Sequence, residues 1–279
     1  TSKLELIAEK TLITNVQDNS ILVEKDTGER YWFDEAVIPS ITFEDDYTNN
    51  TGWTQTGTRT TVDSGSADKV KGTGNPSSGQ DFVVKSLGAT LSDTWVADFD
   101  IKMISAGDWY SIPFGLCAGT GANLTSNQDG CGIWFNGNGG VAAGARIFVW
   151  SKVGSGSWAT VSPTSDIWLV AGTQYYARVA KTGATTLKIS IFTDSSRTTH
   201  LTNSPQSVTI GAVGSLTHVQ HSSQTDAADN LSTWEIDTLK VYDGVTNPDT
   251  IPATWTNPVC AGTISSTATM GSNGDFDVE

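Results

Sequence analysis

The sequence predicts an all-β protein folded as a two-sheet antiparallel sandwich. No stretch places apolar residues at positions i, i+3, i+4 and i+7 between helix caps, so helices are not expected. Apolar and polar residues alternate instead, along short segments that are separated by Gly, Asn and Ser. Short strands with no helices between them indicate a sandwich or a barrel rather than an α/β fold.

The clearest alternation runs from Trp95 to Met103 and predicts a strand with one face in the core and one in water. The core face would carry Trp95, Ala97, Phe99, Ile101 and Met103, and the water face Val96, Asp98, Asp100 and Lys102. A hairpin is predicted from Tyr175–Lys181 and Thr186–Phe192, which flank a turn-forming linker. Further strands are expected at Gly132–Asn136, Ala145–Val153, Ser207–Ile210 and Thr233–Tyr242.

The two ends of the chain differ from the middle. Residues 1–40 form an N-terminal hairpin and assembly segment, with short strands at Thr11–Val16 and Ser20–Lys25, a turn at 26–29 and a strand from Arg30. Residues 41–244 form the sandwich, and the Pro-, Thr-, Ser- and Gly-rich residues 245–279 form an extended tail. We expect the middle to fold alone and both ends to serve in assembly.

Composition excludes two classes of partner. The chain has 279 residues, with 30 acidic and 16 basic side chains, and a formal net charge of −14. Such a surface repels phosphate backbones, so nucleic-acid binding is not expected. No apolar run approaches the roughly 20 residues that a membrane helix needs, so membrane insertion is not expected either.

Three segments carry a family resemblance. Residues 43–46, 52–55 and 234–243 resemble the opening and closing strands of concanavalin/laminin-G-like domains and of jelly-roll carbohydrate-binding modules. The resemblance spans roughly residues 41–244 and implies a jelly-roll sandwich. It leaves function open, because lectins, adhesins, hydrolases and capsid proteins all use such sandwiches.

A second resemblance concerns residues 15–33, which look like a short hairpin module of tailed-virus structural proteins. Together the two resemblances favour a virion structural, decoration or fibre protein that exposes a lectin-like sandwich for assembly and surface attachment. Its partners would be other virion proteins or further copies of itself, at a virion surface or outside the cell. The alternative is a carbohydrate-binding adhesin that recognises cell-surface glycans, and a polysaccharide hydrolase is the least supported candidate.

The resemblance to jelly-roll binding modules also implies a structural calcium ion. In those modules, acids of the first and last strands share the ion, and the matching positions here are Glu44, Asp45, Asp46 and Asp237. Calcium takes six to eight oxygen ligands, many of them carboxylates. The alternative is that these four acids are simply solvated.

The three cysteines leave two interpretations open. Cys117 and Cys131 are 14 positions apart and flank a Gly-, Asn- and Ser-rich loop, which suits a disulfide across neighbouring strands. Cys260 would then be left over. Otherwise all three are unrelated buried thiols.

Catalytic motifs are sparse, and we expect a protein that is not an enzyme. Glu235-Ile236-Asp237 resembles part of the Glu-x-Asp-x-x-Glu strand of sandwich-fold glucanases, but the third acid is missing. His218 and His221 are three residues apart, which places them on opposite faces of a strand.

Ten tryptophans raise the question of sugar stacking. Trp95, Trp134 and Trp234 lie in strand patterns and are assigned to the core. Loop tryptophans are the candidates for stacking on a glycan or for contact with a neighbouring subunit, and they are Trp53, Trp109 and Trp158, with Trp255 in the tail.

Overall fold

A computed structural model describes residues 21–23, 30–32, 39–63, 68–73, 81–105, 111–121, 128–137, 144–157, 159–223 and 233–250. Contacts divide the chain into two compact units, one of residues 1–38 with 255–279 and one of residues 39–254. In the first unit, β1 (Ile21–Val23) pairs with β2 (Arg30–Trp32) as an antiparallel hairpin. The hairpin predicted around the turn at 26–29 is therefore confirmed in its two strands, whereas the strand expected at Thr11–Val16 lies outside the described residues.

The second unit consists of short strands, as the alternation predicts. Their bounds are β3 Ile41–Asp45, β4 Thr54–Thr56, β5 Thr60–Asp63, β6 Lys69–Gly72, β7 Asp81–Ser86, β8 Thr94–Ser105, β9 Ser111–Cys117, β10 Gly130–Gly137, β11 Gly144–Lys152, β12 Ala159–Val161, β13 Trp168–Val170, β14 Gln174–Gly183, β15 Thr186–Phe192, β16 Gln206–Thr209, β17 His218–Ser223 and β18 Thr233–Asp243. A single 3₁₀ turn, Pro248–Thr250, follows among the described residues.

These strands form two antiparallel sheets. Sheet I has the order β12-β11-β10-β9-β17-β7-β4, with β13 also pairing with β11. Sheet II has the order β16-β15-β14-β8-β18-β6-β5, with β3 also pairing with β18. The predicted two-sheet antiparallel sandwich is confirmed, as is the hairpin of β14 and β15. The strand order brings the first and last strands of the unit together, because Ile41 of β3 lies beside Tyr242 of β18.

The core lies between the sheets and matches the predicted inward face of β8. Trp95, Ala97, Phe99, Ile101 and Met103 are all fully buried. Phe99 of sheet II stacks on Phe114 of sheet I with ring centroids 4.6 Å apart. The strand alternation therefore places one apolar wall of each sheet against the other.

The opposite face of β8 is not in water, which corrects the prediction for Val96 and Asp98. Val96 is fully buried in a small apolar cluster with Ala180, Tyr242 and Val245. Asp98 is also buried and pairs through both carboxylate oxygens with Arg178, at 2.8 Å each. A charged pair of this kind is tolerated away from water because its two hydrogen bonds satisfy both partners.

The cover over this face comes from residues 244–250, which we call the strap. Val245 packs into the apolar cluster, and Arg178 donates a hydrogen bond to the carbonyl oxygen of Pro248 at 2.8 Å. At the end of the strap, Asp249 pairs with Lys188 of β15 at 2.9 Å. Residues 245–250 therefore pack against sheet II, and the remainder of the predicted extended tail lies outside the described residues and stays a prediction.

In the described part of the chain, no helix has the length and apolar character needed to cross a membrane.

The strap yields a stability prediction. A chain truncated after Gly244 loses the buried Val245 side chain and exposes part of the cluster formed by Val96, Ala180 and Tyr242. Burial of one such aliphatic side chain is worth roughly 1.5–3 kcal/mol, so we expect unfolding in urea to require about 2 kcal/mol less than for a chain ending at Thr254. Equal stability of the two chains would show that the strap contributes nothing to the fold.

Candidate functional site

The outward face of sheet I carries aromatic and polar side chains at one end. Strand register sets Trp134 of β10 opposite Phe148 of β11, and Asn136 opposite Arg146. Arg146 is in turn opposite Trp168 of β13. Residues directly opposite each other in an antiparallel pair share a face, so these side chains are neighbours. With Asp166, they form what we call the sheet-face patch: Trp134, Asn136, Arg146, Phe148, Asp166 and Trp168.

The rings and the guanidinium of the patch are in direct contact. Trp134 and Phe148 are buried and meet edge to face, with ring centroids 5.4 Å apart. The Arg146 Cζ atom lies 4.9 Å from the Phe148 centroid and 5.8 Å from the Trp168 centroid. Both distances are within the range of cation–π attraction. The guanidinium is therefore held over two aromatic rings.

The same guanidinium forms an ion pair with Asp166, from Nη2 to Oδ1. The pair is open to solvent, because 28% of the Arg146 side chain and 39% of the Asp166 side chain are exposed. Trp168 and Asn136 are half-buried. The rim of the patch thus offers a ring face, hydrogen-bond donors and a carboxylate acceptor in one place, which are the groups that fix a polar ligand on an apolar floor.

The aromatic face continues along β11 to Trp150. A Cβ atom at Gly130 would sit 2.8 Å from the Trp150 ring, and one at Gly132 would sit 2.2 Å from the Phe114 carbonyl oxygen of β9 and 2.9 Å from Trp150 Nε1. Only glycine fits at these two positions, because a side chain would collide with the indole at Gly130 and mainly with the β9 backbone at Gly132.

Sequence patterns alone do not reveal the patch, because an apolar residue in a strand, such as Trp134, is predicted to lie in the core between the sheets. Trp95 and Trp234 do lie in the core between the sheets, but Trp134 belongs to a separate cluster with Ile112, Phe148 and Trp150. The signal was present in β11, where Ala145, Ile147 and Val149 occupy one face. The residues between them are also large or aromatic, which indicates that the outward face of the strand carries an apolar cluster of its own.

Of the tryptophans proposed for sugar stacking, only Trp53 lies among the described residues. Trp53 is half-buried, and its Nε1 donates to Asp45 Oδ2 at 3.1 Å, while Lys85 Nζ lies 5.7 Å from its ring centroid. It also contacts the rings of Tyr47 and His221. These contacts give Trp53 a structural role in the loop after β3. Trp109, Trp158 and Trp255 lie outside the described residues.

The four acids expected to bind calcium do not converge on one point among the described residues, and calcium binding stays a prediction. Asp45 is buried and accepts hydrogen bonds from Tyr47 N, Trp53 Nε1 and Lys85 Nζ. Glu44, the preceding residue of the strand, faces the other way and pairs with Lys240 at 2.9 Å.

Asp46 is exposed, and a hydrogen bond from the Thr48 hydroxyl lowers the pKa of its carboxyl. Asp237 lies on the outward face of sheet II. Nowhere in the described ranges do three or more Asp, Glu, His or Cys side chains form a group that could hold a metal ion.

The expected disulfide is also absent, since Cys117 and Cys131 are both free, buried thiols. Cys131 pairs with Leu116, and Cys117 with Gly130, in the register of β9 and β10. Because Leu116 and Cys117 are consecutive in a strand, the two thiols point to opposite faces of sheet I and cannot be bridged. Burial raises the pKa of each thiol to about 12, so neither is reactive as a thiolate. Cys260 lies outside the described residues.

The partial glucanase motif lies on sheet II. Glu235 pairs with Lys69 at 2.8 Å, and Asp237 stands directly opposite Asp100 of β8. Burial is the main cause that raises the pKa of Asp100 to about 6, and the neighbouring Asp237 carboxylate raises it further while Arg197 opposes the change. Burial raises the pKa of Asp237 as well. Ionisation of either carboxyl group thus disfavours ionisation of the other, because the two negative charges repel.

The two histidines of β17 face opposite sides, as predicted. His221 is fully buried between the sheets, where its Nδ1 lies 2.6 Å from the Pro113 carbonyl oxygen and its Nε2 lies 2.9 Å from the Tyr47 hydroxyl. Since a carbonyl only accepts, Nδ1 carries the proton and the Tyr47 hydroxyl donates to Nε2. Burial lowers the pKa of His221 to about 4, so the ring is neutral and structural.

Comparison with known proteins gives no family for the chain. No protein-family model matches it, and no curated protein sequence matches it. Solved structures do align with it, among them the carbohydrate recognition domain of Emp47p, at 14% identity and a TM-score of 0.45 over 74% of this chain and 97% of that one.

The exoplasmic/lumenal domain of VIP36 in its Ca2+/Man3GlcNAc-bound form aligns at 13% identity and a TM-score of 0.48, over 75% of this chain and 91% of that one. The globular domain of T. cruzi calreticulin aligns at 10% identity and a TM-score of 0.45, over 74% and 89%. Likeness at this level assigns no ligand to this chain, and the sandwich rests on the sheet order described above.

The buried His221 predicts a loss of stability in acid. Its pKa is about 4 in the folded protein and near 6.5 in an unfolded chain, so the unfolded state binds the extra proton between these values. Stability that is present above about pH 6.5 is therefore lost as the pH falls toward 4, by on the order of 3 kcal/mol. Urea unfolding across this range should show a smaller loss for His221→Gln than for the wild type. The exposed His200→Gln is the control and should follow the wild type.

The Asp100 and Asp237 pair predicts the opposite trend. Burial, with a smaller contribution from Asp237, raises the pKa of Asp100, so between about pH 4 and pH 6 the folded protein holds a proton that the unfolded chain releases. Ionised Asp100 therefore costs stability above about pH 6 and not below about pH 4, and repulsion by Asp237 is one part of that cost. Asp237→Asn removes the repulsion and keeps the Asp100–Arg197 contact. We expect this variant to melt higher than the wild type near pH 8, with the difference fading in acid. A gain that is independent of pH would contradict this explanation.

Proposed function

We propose that the chain is a carbohydrate-binding protein of the adhesin type, and that the sheet-face patch is its binding surface. The observation that carries the proposal is the combination of an aromatic floor with an exposed Arg146–Asp166 pair and the half-buried Trp168 ring. Sugars present apolar C–H faces that pack on aromatic rings, and hydroxyl groups that both donate and accept hydrogen bonds. The patch supplies aromatic rings for the C–H faces, and the Arg146–Asp166 pair for the hydroxyl groups.

We further propose that the protein binds without cleaving. Hydrolysis of a glycosidic bond requires two carboxyl groups on either side of the bound sugar. The carboxyl pair with raised pKa values, Asp100 and Asp237, belongs to sheet II, whereas the patch belongs to sheet I. The third acid of the partial motif is absent, since Lys240 occupies its position.

The expectation of a virion component stays a prediction, as does assembly with copies of itself. The residues that motivated the viral resemblance lie mainly outside the described ranges, apart from the strands β1 and β2. An adhesin acts on glycans outside the cell, so we place the protein at an extracellular surface. This location is compatible with attachment of the chain to a particle or to a cell.

The proposal is tested by binding of the full chain to an array of immobilised glycans, followed by calorimetry with the best ligand. Trp168→Ala removes the half-buried ring at the rim of the patch and should weaken binding by about tenfold or more, which is about 1.4 kcal/mol. Tyr176→Ala is the matched control, because Tyr176 is a half-buried aromatic residue on the outward side of sheet II. Its affinity should equal that of the wild type.

Two results would contradict the proposal. One is the absence of binding to any glycan on the array, and the other is undiminished binding by Trp168→Ala. The bound glycan should also survive incubation with the protein, because we expect no release of reducing ends. Release at a rate abolished by Asp100→Asn or Asp237→Asn would instead support the hydrolase alternative.

A further inference from the structure

We infer that the sheet-face patch selects uncharged sugars over acidic ones and that Asp166 sets this selectivity. The inference rests on the proposed function, since it concerns the ligand of the same surface. Its starting point is that Arg146, the cation of the patch, is already paired with a carboxylate. Its guanidinium is further fixed between the rings of Phe148 and Trp168.

An acidic sugar would be repelled by the negative charges at and around this surface. A uronate or sialate carboxylate that approached Arg146 would come within a few ångströms of Asp166, and like charges at that distance repel. The next lysine on the same face of β11 is Lys152, six residues along the strand, or about 20 Å away at roughly 3.3 Å per residue. The formal net charge of −14 adds a long-range repulsion of the same sign.

An uncharged sugar meets no such cost and uses both members of the pair. One hydroxyl group accepts from a guanidinium N–H while its neighbour donates to an Asp166 oxygen, so two adjacent hydroxyls satisfy a donor and an acceptor that are fixed side by side. Asn136, opposite Arg146 in the register, adds an amide that donates and accepts. The ring of Trp168 at the edge of the pair supplies the apolar contact.

The test uses pairs of oligosaccharides that differ at a single carboxylate, such as a glucan chain and its counterpart with one glucose oxidised at C6 to glucuronate. Calorimetry on the wild-type chain should give an affinity for the uncharged member that is about tenfold higher than for the acidic one. Asp166→Asn leaves the Arg146 charge uncompensated. Compared with the wild type, this variant should bind the uncharged member more weakly and the acidic member more tightly. The ratio of the two affinities should therefore decrease or change direction.

Salt dependence separates charge from shape. Added salt should weaken binding of the acidic sugar to Asp166→Asn and leave binding of the uncharged sugar to the wild type unchanged, because only the former is a screened charge interaction. The matched control is Asp249→Asn, which removes the same charge from an exposed Asp–Lys pair in the strap. It should keep the wild-type preference. Asp166→Glu, which keeps the charge, should also retain it.

The outcomes distinguish the two proposals. If the wild type binds no sugar, the proposed function fails. If the wild type binds sugars but favours the acidic members, the function stands and the inferred selectivity is wrong. If a folded Asp166→Asn variant keeps the preference for uncharged sugars, Asp166 does not cause that preference. If the variant does not fold, the affinities of the wild type still test whether the patch prefers uncharged sugars.

Discussion

The side chains that fill the space between the two sheets also determine where every outward-facing side chain lies. Successive residues of a strand point to opposite faces, so fixing Ala145, Ile147 and Val149 in the core fixes Arg146 and Phe148 on the outside. The register between strands then decides which outward residues become neighbours. The patch on sheet I is in this sense a consequence of core packing: the same constraint that buries one set of residues brings the other set together.

Much of the fold was predictable for the same reason. The alternation in β8, and in the hairpin of β14 and β15, assigns each residue to a face without knowledge of any other strand. What alternation does not give is the partner strand. Trp134 was placed in the core because its apolar character indicates burial, but burial occurs on both sides of sheet I. Cys117 and Cys131 do lie on adjacent strands, and a one-residue offset in register turns their thiols apart.

The acidic residues illustrate a second limit of the sequence. Four of them were grouped because their positions match those of calcium-binding modules, yet carboxylates are also the partners of buried and half-buried cations. Asp45 forms an ion pair with Lys85, Glu44 with Lys240 and Asp98 with Arg178. Which of these uses applies depends on the distance to a lysine or arginine from a remote part of the chain. That distance is set by the sheet order and does not appear in local sequence.

The pairing of β3 with β18 has a mechanical consequence. Chain entry and chain exit lie side by side at one end of the sandwich, since Ile41 is next to Tyr242 in an antiparallel pair. Tension applied between the two ends of this unit therefore pulls the strands apart like a zipper, with their hydrogen bonds breaking one after another, rather than loading them all at once in shear. An adhesive domain tethered through both ends would yield at low force. Tethering through the β18 end alone would leave the β3–β18 pair unloaded while the ligand is held, because β18 also pairs with β8 and β6.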